Sequence, residues 1–212
     1  MVPLYSDPII VNRWRNKAPK RSIERVFTSD VWQAVIASIE DYPRETHAEF
    51  RRYAQARWAV SLFYTTAVRT SEAVDAKMGN LYSVRDPHDK STRHFPRVIG
   101  KGDKERSVPV SEAFLEELRR YRAAFEMSPM PRTGEARPLM FSLQTSTRIK
   151  SLTRHALYQQ LKAILNKAAD RLEHQDAAGA ETLRAASTHW LRHQLQLRCS
   201  TIAPTCAVFS RC

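Results

Sequence analysis

The chain is short of cysteine, of acidic side chains and of long apolar runs, and each shortage closes off a class of function. Cys199, Cys206 and Cys212 are its three cysteines, all in the last 14 positions and without the close pairing of a zinc ribbon or redox motif. They read as reduced thiols. The most apolar charge-free stretch, Trp58 to Val68, contains Ser61, Thr65 and Thr66 and falls well short of the roughly 18 apolar residues of a membrane-spanning helix. No membrane partner is expected. The opening MVPLYSDPIIVNRWRNK has neither a basic start nor a sustained apolar block, so it does not read as a secretory signal, and the cytosol is the default location. Acidic residues number 22 against 34 Lys plus Arg, a formal charge of +12. That excess attracts polyanions, because clustered cations displace counterions condensed on a phosphate backbone. Nucleic acid is therefore the first partner to consider, although net charge speaks to partners and never to fold. Hydrophobic residues at 42% are enough for a core and exclude wholesale disorder and collagen-like, coiled-coil or mucin-like chains.

Residues 1–27 carry Arg13, Arg15, Lys17, Lys20, Arg21 and Arg25 among Pro3, Pro8 and Pro19, which predicts a basic arm or linker. Thr28, Ser29 and Asp30 offer N-cap oxygens before Trp32, Ile36 and Ile39, so a helix is expected from about Asp30 to Asp41. After Pro43, Phe50, Tyr53, Ala54, Trp58 and Leu62 form an apolar stripe that predicts a second helix over 45–66. The helical period lapses between Leu81 and Val110. There RHFPRVIGKGDKERSVPV predicts a hairpin, two short β-prone runs around a Gly100-Lys101-Gly102-Asp103 turn. Ser111 then caps a helix bearing Phe114, Leu118, Tyr121 and Phe125, MSPMPRTGEARP forms a loop, and a further helix from near Thr153 buries Leu157, Leu161, Ile164, Ala168 and Leu172. HQDAAGAE reads as a connector to a last helical run near Ser187. The expected class is mainly α with a small antiparallel β-sheet, an α+β domain.

Three segments carry a cation or imidazole in settings suited to a phosphodiester. In TTAVRTSEAV, Arg69 starts a helical stretch and Glu72 follows at i+3, where a carboxylate can orient a guanidinium. IGKGDKERSVPV places Lys101, Lys104 and Arg106 at or beside the hairpin tip, where an ammonium can protonate a leaving oxygen. In STHWLRHQ, His189 and Arg192 stand at i, i+3 and project from nearly one helix face, an imidazole beside a guanidinium fork. Taken singly, these read as a surface ion pair, a solvated turn and an ordinary helix. As an ordered set they are far more specific.

With AVRTSE, GKGDKERSVPV and THWLRH in that order, residues 25–193 resemble the catalytic domain of the tyrosine recombinases, the phage integrase family of DNA strand-exchange enzymes. The resemblance implies the fold of DNA breaking-rejoining catalytic domains over 28–193, with double-stranded DNA as partner and no metal ion or cofactor. It implies that Arg69 and Arg192 clamp the scissile phosphate, that Lys101 is general acid on the departing 5′ oxygen, that His189 assists proton transfer and that Glu72 supports Arg69. Lys104 and Arg106 are then expected to contact DNA.

The family's nucleophile is a tyrosine roughly three dozen residues beyond that His, whereas 23 residues follow His189 here. QLQLRCSTIAPTCAVFSRC contains no tyrosine, histidine or acidic residue, so 194–212 reads as an atypical tail without a nucleophile. It leads to the expectation of a truncated or frameshifted chain, shortened also at its start, where 1–27 would be the remnant of a core-binding domain. Tyr121 and Tyr158 are expected to pack in the core. Some members take the tyrosine from a neighbouring protomer, which would make other recombinase protomers partners. The alternatives are a non-catalytic DNA-binding fragment and, if the motif set is accidental, an unrelated RNA-binding or scaffold protein.

Overall fold

The computed structural model describes residues 27–100, 105–143, 149–188 and 190–191. Among these, the chain forms α1 (Ser29–Glu40), α2 (His47–Thr66), α3 (Thr70–Asp75), a 3-10 turn (Met78–Asn80), β1 (Leu81–Arg85), β2 (Thr92–Ile99), β3 (Glu105–Ser107), α4 (Glu112–Ala123), α5 (Arg154–Leu172) and α6 (Ala177–Ala185). Local chemistry sets most of the boundaries. Thr28, Ser111 and Thr153 each accept a backbone N–H of the following turn, and Thr46 and Glu49 cap the start of α2 reciprocally. α2 ends at Ala67, whose φ of 49° is left-handed and whose N–H donates to Phe63 O at 3.2 Å.

α2 occupies the centre of the core. Trp58 is fully buried on it, stacked on Tyr121 of α4 at 5.6 Å, with its indole N–H donating to Leu139 O at 3.2 Å. α5 packs on α1, α2, α3 and α6, burying Leu157, Leu161, Ile164 and Leu165. The antiparallel sheet runs β1-β2-β3, with Leu81 opposite Pro96 and Ile99 opposite Glu105. Pro96 and Val98 turn inward, while Arg97 and Ile99 face solvent. A mainly helical chain with one small sheet is thus the observed class.

Four expectations are corrected. HQDAAGAE is not a connector: its latter part starts α6, where Asp176 caps Gly179 N at 2.8 Å and Ala180 and Leu183 are buried. Alanine favours a helix even without a broad apolar stripe. The sheet has a third strand, β1, alongside the two of the expected hairpin. Phe50, assigned to the apolar stripe, lies in the first turn of α2 and is exposed. Tyr158, expected in the core, is 38% exposed, whereas Tyr121 is buried. Residues on a helix advance about 100° each, so Tyr158 turns away from the stripe that Leu157 and Leu161 occupy. The basic arm, apart from Phe27, and the tail 194–212 lie outside the described residues.

Candidate functional site

The end of α2 and the start of α3 create the site's first element. Ala67 redirects the chain so that Val68 enters the core while Arg69 remains outside it. Arg69 has extended backbone at the N-terminus of α3 and makes two contacts with Glu72. Its backbone N–H donates to Oε2 at 2.8 Å, and its Nη1 donates to Oε1 at 2.8 Å. The Glu72 side chain is 1% exposed and that of Arg69 is 50% exposed. A buried carboxylate thus holds an open guanidinium by one nitrogen and leaves its remaining donors for a ligand.

The second element arrives from the sheet. Arg106 on β3 donates from Nη2 to Glu72 Oε2 at 2.6 Å. Burial works against charge on Glu72, but the backbone N–H of Arg69 and the two guanidinium groups outweigh it and hold the carboxyl below its usual range. Glu72 therefore stays ionised between two arginines, and the trio carries one net positive charge.

The third element is the helical turn at which the described residues end. Thr70 donates its hydroxyl to that of Thr188 at 3.3 Å, joining α3 to a segment 118 positions away. Leu191 is fully buried and Trp190 lies 6.3 Å from Phe27, which pins the same turn from its other side. Thr188 directly precedes His189, and Leu191 directly precedes Arg192.

Of the residues singled out in sequence, Arg69, Glu72 and Arg106 meet. Lys101, Lys104, His189 and Arg192 lie outside the described residues. Arg106, read as a DNA contact, is placed against Glu72. Thr70 and Thr188 were missed, because no local spacing marks a hydroxyl pair so far apart in sequence. Among the described residues no group of three or more His, Cys, Asp or Glu is arranged to hold a metal, and no helix is long and apolar enough to cross a membrane.

The phage integrase family model matches residues 25–199. The chain belongs to the phage integrase family. It is 27% identical over 137 residues to the tyrosine recombinase XerD of Staphylococcus aureus, covering 65% of this chain and 38% of that protein. It is 30% identical over 149 residues to the tyrosine recombinase XerC of Corynebacterium efficiens, covering 70% of this chain and 38% of that protein. The chain thus spans well under half the length of these relatives. Two crystal structures share the integrase-family fold. XerH site-specific recombinase bound to difH substrate in a pre-cleavage complex superposes with a TM-score of 0.54 at 20% identity, over 87% of this chain and 45% of that one. The post-cleavage complex with a palindromic difH substrate gives 0.53 at 20% identity, over 82% and 42%.

Proposed function

We propose that this integrase-family chain grips duplex DNA and activates a backbone phosphate for strand cleavage and rejoining by transesterification. The observation that carries the reading is the Arg69–Glu72 arrangement, an open guanidinium held at a helix start by a buried carboxylate. The XerH structures with difH substrate and the +12 charge support duplex DNA as the partner. Arg69 and Arg192 would each donate to non-bridging oxygens, stabilising charge that grows as phosphorus becomes pentacoordinate. A tyrosine hydroxyl passes its proton to His189 as its oxygen attacks phosphorus, the bond to the 5′ oxygen breaks, and Lys101 delivers a proton to that oxygen. The product is a phosphotyrosine linkage and a free 5′ hydroxyl. Reversal of the same steps rejoins the strand.

A second reading is a DNA-binding protein that does not cleave, for which the formal charge of +12 alone suffices. A nicked suicide duplex separates the two readings. The chain is incubated with it alone and with a tyrosine-bearing relative whose own arginines have been substituted. A covalent adduct in either mixture that disappears with Arg69→Gln supports phosphate activation. Salt-dependent binding with no adduct supports the second reading. Affinity for duplex that stays constant between low and high salt overturns both.

A further inference from the structure

We propose that Arg106 is a positioning residue: it joins β3 to α3 through Glu72 and so fixes where the β2–β3 hairpin stands relative to Arg69. The inference deepens the phosphate-activation reading and, in its functional meaning, rests on it. Arg106 would on this view not be one of the cations that meet DNA.

The residues that follow β3 stay on β2, with the N–H of Val108 donating to Pro96 O at 3.2 Å and that of Val110 to His94 O at 3.1 Å, and both valines pack on the core, so Arg106 is the polar contact that completes this inward face. β3 itself is three residues long and, among the described residues, pairs with β2 through Arg97–Ser107, Val98–Arg106 and Ile99–Glu105. Its flanking residues Glu105 and Ser107 are exposed, and Ile99 across from it is 57% exposed. On the outer side, Tyr82 donates its hydroxyl to Ser107 Oγ at 2.7 Å. Directly opposed residues share a face of the sheet, so Val98 and Arg106 both turn inward. Val98 is anchored by burial at 2% exposure, and Arg106 by its ion pair. The inward anchor of β3 is therefore polar.

Glu72 is built to receive it. Each carboxylate oxygen takes one guanidinium, Oε1 from Arg69 and Oε2 from Arg106, with the Arg69 backbone N–H also on Oε2. The carboxylate is almost inaccessible to water, so moving Arg106 away would leave a buried oxygen short of a partner. A displacement of the hairpin is thus opposed at the same side chain that orients Arg69. Lys101 and Lys104 belong to the sequence between β2 and β3, which makes the stance of these strands relevant to the proposed general acid.

The discriminating experiment uses the full chain and the variants R106Q, R106K and E72Q. Amide hydrogen exchange of β2, β3 and α3 is measured alongside the salt dependence of duplex binding. R106Q is expected to speed exchange in β3 about tenfold, since a charge-assisted contact to a buried carboxylate is among the stronger ones. E72Q is expected to match it. The geometry needs only one N–H donor from residue 106, so R106K should restore protection. The slope of log affinity against log salt is expected to stay the same in R106Q. Unchanged exchange in β3 overturns the proposal, as does accelerated exchange that R106K fails to restore. A slope reduced by about 0.9 with unchanged exchange instead identifies Arg106 as a phosphate contact. If no form of the chain binds duplex, phosphate activation fails on its own account while the exchange data still decide the role of Arg106.

Discussion

Arg57 and Arg69 are both arginines clasped by glutamate, and they are built in opposite senses. Arg57, in the middle of α2, donates from Nε and Nη2 to Glu117 of α4 at 2.7 and 2.8 Å and from Nη1 to Glu40 of α1. Its side chain is 27% exposed and all three nitrogens are engaged, so it ties three helices together. Hydrogen bonding to Glu117 raises its pKa further. At Arg69 the carboxylate is the buried partner and the guanidinium is the open one, bound through a single nitrogen. A cation that engages all its nitrogens inside the fold serves the fold. One held by its edge, with the holding group buried, is prepared for something outside it.

The contrast is largest in stability. Arg57→Met should cost about 2 kcal/mol, because it strips the largely buried Glu117 of its bidentate partner and uncouples α1, α2 and α4. Arg69→Met should cost less, about 1 kcal/mol: it takes the partner from the buried Oε1 of Glu72, but the carboxylate keeps its backbone cap and its ion pair with Arg106. Duplex affinity should respond in the reverse order. Chemical denaturation and a salt series on both variants check this, and equal stability losses would erase the distinction.

A smaller effect is expected in acid. The folded pKa of Glu72 lies below its unfolded value, which is near 4.3 for a free glutamate. The stability it contributes is therefore present above that unfolded value and is lost as pH falls through the folded one. Glu72→Gln should flatten this acid limb of the stability curve while leaving the contribution of other carboxylates in place. Denaturation midpoints at several pH values below 5 measure it, and an unchanged acid limb would mean that the arginines gain nothing from the ionised carboxylate.

These differences divide along the line between local and distant information. Arg69 and Glu72 were visible as a pair because i, i+3 spacing is a local property of a helix. The helices α1, α2, α4 and α5 were legible for the same reason, each carrying a recurrent apolar position and α1 and α4 a cap as well. Arg106 and Glu72 are 34 positions apart and Thr70 and Thr188 are 118 apart, so only the packed fold brings them together. Its charge and its place beside the hairpin tip point Arg106 toward DNA, yet a buried carboxylate inside the molecule competes for the same guanidinium. Phe50 and Tyr158 went wrong in the opposite direction. Their apolar rings suggested burial, whereas a position in a first helical turn and a one-residue offset from the stripe place them at the surface. β1 is short and its outward residues are exposed, which leaves little alternation to read.

The smallest effect concerns the turn that delivers Arg69. Ala67 holds φ at 49°, a left-handed conformation that costs an L-residue with a Cβ roughly 1 kcal/mol. Ala67→Gly removes that strain but adds freedom to the unfolded chain, a penalty of about 0.5 kcal/mol. The balance is a gain of roughly half a kcal/mol, or about 1–2 °C in melting temperature for a chain of this size. Calorimetry would show it, and a lower melting temperature would mean that the αL turn is held by its neighbours with little strain. Function should move the other way. Glycine loosens the two backbone torsions of position 67, between the buried end of α2 and Arg69, so the guanidinium is less well fixed. A variant that melts higher and binds duplex less tightly is the expected pattern, because the alanine trades a little stability for a directed arginine.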